Sequence, residues 1–157
     1  MQAEISPSHP SPAQAPHLPY IWESLCRMAK RILLVDDDDI NNFLSEEIIG
    51  HYSPGSKITS AKTVTQALEF LQERNATQQP LPDIIMVDIN MPWLNGWDFI
   101  EQFERLDITG REKIKLYIYT SSVYIKDIER GRSYASVRNI LSKPLTDEML
   151  EEVFGDH

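Results

Sequence analysis

Short apolar runs alternate with helically spaced apolar residues from Lys30 onward. The clearest runs are RILLV, which begins at Arg31, and DIIMVDI, which begins at Asp83. Continuous runs of this length are typical of strands buried on both faces of a sheet. Parallel strands need crossover connections, which are usually helices and right-handed. The pattern therefore predicts an open, doubly wound α/β domain with five parallel strands. The weaker strand signals lie at 57–61, 113–120 and 137–141.

Helical spacing of apolar residues predicts five helices, one after each strand. Thr63 with Gln66 three residues later resembles a capping box, and Thr146 is a candidate N-cap of the last helix. The fourth helix is the least regular, with Ile125 and Ile128 as its only apolar signals. The first helix is predicted from the spacing of Ile40, Phe43, Leu44, Ile48 and Ile49.

Composition excludes several classes of protein. The formal net charge of −9 argues against broad nucleic-acid binding, which needs a basic surface. No apolar run approaches the roughly 20 residues of a membrane span. Cys26 is the only cysteine, so no disulfide framework is expected, and the four histidines are scattered without ligand spacing. A cytoplasmic setting is expected.

Residues 1–27 differ in composition from the rest of the chain. Five of the ten prolines lie there. Because proline removes backbone donors and restricts φ, this stretch is predicted to be a disordered extension. It lacks the basic start and long apolar run of a secretory signal. The folded domain is expected to span 28–157.

Five chemically suited residues follow the predicted strands. Asp36 and Asp37 end the first strand, Asp88 ends the third, Thr120 ends the fourth and Lys143 follows the fifth. Open α/β sheets bind ligands beyond the carboxyl ends of their strands. Carboxylates suit Mg²⁺, and a carboxylate can also accept a phosphoryl group as a nucleophile. A lysine and a hydroxyl could then share the phosphoryl oxygens with the metal.

At this point the chain, from about Lys30 to Phe154, resembles a response-regulator receiver domain of two-component signalling, similar to the stand-alone chemotaxis receivers. The matching motifs are spread over most of the domain and occur in the same order as in the family. The resemblance implies a flavodoxin-like sheet with strand order 2-1-3-4-5. The matching motifs are VDD at 35–37, Asn41, PD at 82–83, DINMPWLNG at 88–96, the pair Thr120 and Ser121, and KP at 143–144.

The resemblance also implies a role for each matched residue. Asp88 would be phosphorylated by a histidine kinase or a phosphotransfer protein, with Mg²⁺ as the cofactor. The protein would catalyse only its own phosphorylation and dephosphorylation. The implied metal ligands are Asp36, Asp37, Asp88 and the backbone carbonyl of Asn90. The implied switch and phosphate contacts are Thr120, Ser121 and Lys143, and Pro144 is a candidate for a cis peptide bond.

The output of such a receiver is harder to predict. The family usually has an aromatic residue three positions before the lysine, and this chain has Ile140. Only three residues follow the last predicted helix, so we expect the signal to pass to a separate effector protein, and a homodimer is possible. The expected output face comprises Tyr124, Tyr134, Ile140 and Met149.

Three alternatives stay open at this stage. The chain could be a phosphate-relay intermediate without a switch output, or a degenerate receiver that only binds partners. It could also be a hydrolase of the haloacid dehalogenase type, with Asp36 as nucleophile and Asp38 two residues beyond. Asp38 and Asp39 are otherwise interpreted as acids at a helix N-terminus. Tyr117 and Tyr119 are interpreted as sheet residues.

Overall fold

A five-stranded parallel sheet organises the computed structural model, which describes residues 29–155. The strand order is β2-β1-β3-β4-β5, and every neighbouring pair is parallel. The predicted doubly wound sheet and its order are confirmed. The elements are β1 Arg31–Val35, α1 Asp39–Tyr52, β2 Lys57–Ala61, α2 Val64–Ala76, β3 Ile84–Val87, α3 Gly96–Arg105, β4 Lys115–Thr120, α4 Ile125–Arg132, β5 Val137–Ser142 and α5 Asp147–Phe154, with a 3₁₀ turn at Arg111–Lys113.

The sheet separates two apolar clusters. Successive side chains of a strand point to opposite faces, so Leu33 and Val35 pack with α2 and α3 on one face. Ile32 and Leu34 pack with α1 and α5 on the other. All four residues of β3 are buried. The continuous apolar runs therefore reflect burial on both faces, as the sequence predicts.

Side-chain caps set the starts of several helices. Thr63 accepts the backbone N–H of Gln66, and Thr146 accepts that of Met149, as predicted. The Gln66 side chain, however, accepts the N–H of Lys62 at 2.9 Å, so the reciprocal half of the capping box falls one residue earlier. The Asp38 carboxylate accepts the N–H groups of Ile40 and Asn41 as the N-cap of α1, which agrees with its interpretation as an acid at a helix N-terminus.

The buried face of α1 is not the one that apolar spacing suggests. The helix forms as predicted, but the exposed fractions of Ile40, Phe43 and Leu44 are 70%, 60% and 49%. The side chains that face the sheet are Asn42, Ser45 and Ile49.

Hydrogen bonds explain this orientation. Asn42 Nδ2 donates to the carbonyl of Asp36 at 2.9 Å, and Ser45 Oγ contacts the Tyr119 hydroxyl at 3.3 Å. Polar residues therefore determine which face of α1 packs against the sheet. A prediction that the apolar side chains of this helix are the buried ones is wrong here.

None of the helices between residues 29 and 155 has the length and apolar character needed to cross a bilayer. The predicted disordered extension at 1–27 lies outside the described residues.

Candidate functional site

The carboxyl edge of the sheet gathers the residues that follow β1, β3, β4 and β5. The Asp88 N–H donates to the Val35 carbonyl at 2.9 Å, and the Lys143 N–H donates to the Thr120 carbonyl at 2.9 Å. Each parallel ladder thus continues one step beyond its strand. This continuation holds the side chains of Asp36, Asp88, Thr120 and Lys143 at one place.

Lys143 lies between two carboxylates. Its Nζ donates to Oδ2 of Asp36 and, at 2.9 Å, to Oδ2 of Asp88. The exposed fractions of the Lys143, Asp36 and Asp88 side chains are 7%, 6% and 8%. Burial lowers the pKa of Lys143, but the hydrogen bonds and charges of the two carboxylates outweigh it and raise the pKa above its ordinary 10.5. The lysine is therefore charged at neutral pH.

The second oxygen of Asp88 and the Thr120 hydroxyl are joined through Asn90. Asp88 Oδ1 accepts the Asn90 backbone N–H at 2.9 Å, and Asn90 Nδ2 donates to Thr120 Oγ1 at 3.0 Å. The N–H of Ser122 reaches the same hydroxyl at 3.5 Å. Ser121, the other predicted contact in this loop, is exposed.

The acids of the first loop divide into different roles. Asp36 is buried, and its Oδ1 accepts the Asp38 N–H at 2.9 Å. Asp37 is exposed, and the Asp38 carboxylate caps α1. Within residues 29–155 no three acids converge closely enough to hold a metal ion. The structure therefore brings Asp36 and Asp88 together around Lys143, while Asp37 is exposed to solvent.

Gly96, at the start of α3, permits the close approach of that helix to Asp88. A Cβ atom at this position would lie 2.4 Å from the Asp88 carbonyl oxygen and 2.8 Å from the Ile89 Cα. Such distances are sterically forbidden, so only glycine fits. The DINMPWLNG motif at 88–96 does not by itself predict this contact. The signal was glycine directly after Asn95, which caps the helix.

Tyr119 contacts Lys143 from the face of the sheet that α1 covers. Its ring centroid lies 5.3 Å from Lys143 Nζ, and its hydroxyl contacts Ser45 on α1. Burial raises the pKa of Tyr119, while hydrogen bonds from Ser45 and the Leu145 backbone and the Lys143 charge oppose that rise. Tyr119 is a sheet residue, as interpreted from the sequence, but its contact with Lys143 is not readable from strand alternation alone.

The expected output residues lie in different settings. Tyr124 is exposed, and the half-buried Met149 of α5 packs against the apolar cluster that contains Ile32 and Leu34. Tyr134 stacks on Trp97 and donates its hydroxyl to Glu101 Oε1 at 2.7 Å, which fixes it to α3. Ile140 packs against α4 at Gly131. The peptide bond before Pro144 is cis.

With this geometry in place, the comparisons with known proteins identify the family. The model of the response regulator receiver domain matches residues 32–154, and the chain belongs to that family. A two-component response regulator from Cytophaga hutchinsonii shares 34% identity, with a TM-score of 0.74 over 79% of this chain and 92% of that one. A two-component response regulator from Legionella pneumophila shares 29% identity, with a TM-score of 0.68 over 79% and 94% of the two chains.

The chain is also similar to a part of a longer regulator. It is 24% identical over 126 residues to the sensory/regulatory protein RpfC of Xanthomonas campestris pv. campestris. The match covers 80% of this chain and 16% of the length of that protein. The shared portion is thus a small part of RpfC.

Proposed function

We propose that this receiver accepts a phosphoryl group on Asp88 from a histidine kinase or a phosphotransfer protein, with Mg²⁺, and signals to a separate effector in the cytoplasm. The observation that carries the proposal is the setting of the Asp88 carboxylate. One oxygen faces the Lys143 ammonium, and the other faces the N–H of Asn90. A carboxylate held in this way at the sheet edge is oriented as a nucleophile.

The chemistry follows from these contacts. An Asp88 oxygen attacks the phosphorus, the bond to the donor's imidazole nitrogen breaks, and the imidazole leaves. Catalysis of phosphoryl transfer is mostly positioning and charge stabilisation. The Lys143 ammonium supplies a charged donor for the phosphoryl oxygens. The Thr120 hydroxyl is linked to Asp88 through Asn90, whose backbone N–H bonds to Asp88 and whose side chain bonds to Thr120. The protein modifies its own Asp88 and no other substrate.

The donor set fits a hard divalent cation. Mg²⁺ is usually held by one or two carboxylates together with waters and phosphate oxygens. Asp36 and Asp88 supply two buried carboxylates, Asp37 directly follows Asp36, and the Asn90 carbonyl lies two residues beyond Asp88 in the chain. When bound, the cation would neutralise charge on the transferring group. Lys143 bonds to the same two carboxylates and balances part of their negative charge.

Two outputs are supported by different observations. A cleft of about 250 Å³ lies between α4 and β5, lined in part by Val123, Ile128, Arg132 and Ile140. This cleft favours an effector that reads the α4–β5 face. The phosphate-relay alternative rests on Ile140. Its side chain has no polar group that could follow the Thr120 hydroxyl when that hydroxyl moves.

Labelling with a small phosphodonor tests the proposal. Mg²⁺-dependent label is expected on Asp88 by peptide mapping, and Asp88→Asn should abolish it. Asp107→Asn is the matched control, since Asp107 is an exposed aspartate beyond the far end of α3. Label on Asp36 would instead support the dehalogenase alternative, and no label would support a pure binding domain.

A further inference from the structure

Tyr119 and Lys143 make a contact that the phosphoryl chemistry above does not use. The ammonium lies 5.3 Å from the centroid of the tyrosine ring, within the roughly 6 Å range of cation–π attraction. Both side chains are buried, so water does not screen the contact strongly. Because Tyr119 directly precedes Thr120 on β4, the ring sits beneath the site on the α1 side of the sheet.

The ring is itself held in place. Its hydroxyl contacts Ser45 Oγ at 3.3 Å, and Ser45 is a buried residue of α1. The same helix holds the loop of Asp36, because Asn42 donates to the Asp36 carbonyl. One helix therefore fixes both a carboxylate partner of Lys143 and the aromatic ring beneath it.

The proposed reaction requires Lys143 to change partners. Its ammonium now bonds to Asp36 and Asp88. A cation would bind Asp36, whereas Asp88 would remain an anionic partner, first as a carboxylate and then through its phosphoryl oxygens. The ammonium would then keep one anionic partner in place of two, and a further favourable contact would help to hold it there, since a poorly paired buried charge is costly. The ring of Tyr119 lies within reach and does not take part in either event.

We propose that Tyr119 is a positioning residue, whose ring holds the Lys143 ammonium at the Asp88 side chain when Asp36 is occupied by a cation. This inference rests on the proposed function for its catalytic consequence. The geometric part, the ring beneath the ammonium, stands independently of it. The interaction is between the ammonium and the face of an aromatic ring, so phenylalanine at position 119 should substitute for tyrosine.

Tyr117 provides a matched control on the same strand. It lies two residues earlier, belongs to the same apolar cluster and is also buried. Burial raises the pKa of Tyr117, the negative charge of Glu152 adds to that rise, and the positive charge of Arg138 opposes it. Replacing Tyr117 therefore reports the cost of losing a buried tyrosine from β4 without loss of the ring beneath Lys143.

The first measurement is the NMR shift of the Lys143 ε-methylene protons in the unphosphorylated protein. A ring beneath the ammonium should shift these protons upfield. Tyr119→Phe should keep the shift, whereas Tyr119→Met, which retains apolar volume without an aromatic face, should remove it. Tyr117→Met should leave it unchanged. An ε-methylene shift that is the same in the wild type and in Tyr119→Met would overturn the contact.

The second measurement is the rate of Asp88 labelling by a small phosphodonor at saturating Mg²⁺. Tyr119→Met should slow labelling about fivefold, the scale of one cation–π contact, while Tyr119→Phe should stay within about twofold. Tyr117→Met should label like the wild type, and the Mg²⁺ affinity of all four proteins should be similar. Thermal unfolding checks that each variant is folded, and Tyr119→Leu replaces Tyr119→Met if that variant fails to fold.

The outcomes distinguish the positioning role of the Tyr119 ring from a packing effect, from an effect of the hydroxyl and from failure of the proposed function. Equal slowing by Tyr119→Met and Tyr117→Met would assign the effect to packing and overturn the positioning role. Slowing by Tyr119→Phe as large as by Tyr119→Met would assign it to the hydroxyl and overturn the role of the ring. If the wild type takes no label on Asp88, the proposed function fails, and the methylene shifts alone decide whether the ring holds the ammonium.

Discussion

At the scale of single residues, the charge balance of the site depends on Lys143. It is the cation shared by two buried carboxylates. Removing one partner of a buried ion pair leaves charge uncompensated and typically costs about 3–5 kcal/mol. Lys143→Met should therefore lower the free energy of unfolding of the metal-free protein by about 3 kcal/mol at pH 7. Lys62→Met is the control, because the exposed pair of Lys62 with Asp39 should contribute no more than about 1 kcal/mol.

The pH dependence of this loss has a defined sign. The folded-state pKa of Lys143 is raised above 10.5. Its contribution is therefore fully present below 10.5 and is lost as pH rises through the higher folded value. Urea unfolding from pH 7 to 11.5 should show the wild type and Lys143→Met converging only at the alkaline end. Equal losses for Lys62→Met and Lys143→Met would contradict the buried charge balance.

The residues of the site were predictable to different degrees. Asp36, Asp88, Thr120 and Lys143 converge as expected, because residues at the ends of neighbouring parallel strands must share one edge. The contact of Tyr119 was not predictable, since it depends on how α1 packs across the sheet. The exposure of Asp37 was not predictable either, because neighbours in sequence at a strand end can face different surroundings.

At the scale of elements, α1 shows where sequence periodicity fails. Phe43 has the right spacing for a core residue but is 60% exposed, whereas Ile49 is fully buried. Phe43→Gln should therefore change the free energy of unfolding by less than about 0.5 kcal/mol, as for most surface substitutions. Ile49→Ala should cost about 2–5 kcal/mol through lost burial and a cavity. Urea titration of both variants distinguishes this orientation from one that buries Phe43, which would reverse the two effects.

The junction of β3 and α3 depends on Gly96. Gly96→Ala forces a methyl group against the Asp88 backbone, so it should destabilise the fold by about 1–3 kcal/mol, the usual cost of overpacking. It should also slow labelling at Asp88, because the displaced backbone carries the acceptor. Gly50→Ala is the opposite control, since Gly50 is helical with open space around it and should gain up to about 1 kcal/mol. Unimpaired stability of Gly96→Ala would show that the loop can yield.

At the scale of the whole molecule, the described residues already contain apolar clusters on both faces of the sheet. We propose that the domain folds without residues 1–27. A truncated protein that begins at Met28 should keep its thermal midpoint within about 2 °C, because a change of 1 kcal/mol already shifts the midpoint by roughly 2–8 °C. A drop well beyond this range would show that the removed segment stabilises the domain.

The response of the whole domain to phosphorylation should follow the loop after β4. Thr120 Oγ1 now accepts from Asn90, and its bond with the Ser122 N–H is long. If the hydroxyl is drawn toward a phosphoryl group on Asp88, this loop and α4 should follow it. Ile140 contacts α4 at Gly131, where an added Cβ would lie 2.9 Å from Ile140 Cδ1. This packing favours movement of Ile140 together with α4, without a change of rotamer.

Amide shifts with and without beryllofluoride, a phosphoryl mimic, should measure that response. Changes are expected at the metal loops, across 121–126 and along α4, with the χ1 of Ile140 unchanged. Asp88→Asn should show none of them, because the acceptor oxygen is lost. A ligand shifts an equilibrium only through contacts that differ between the two states, and here Thr120 and Lys143 supply those contacts. Changes confined to the metal loops, with α4 silent, would instead make the protein a phosphate relay without a conformational output.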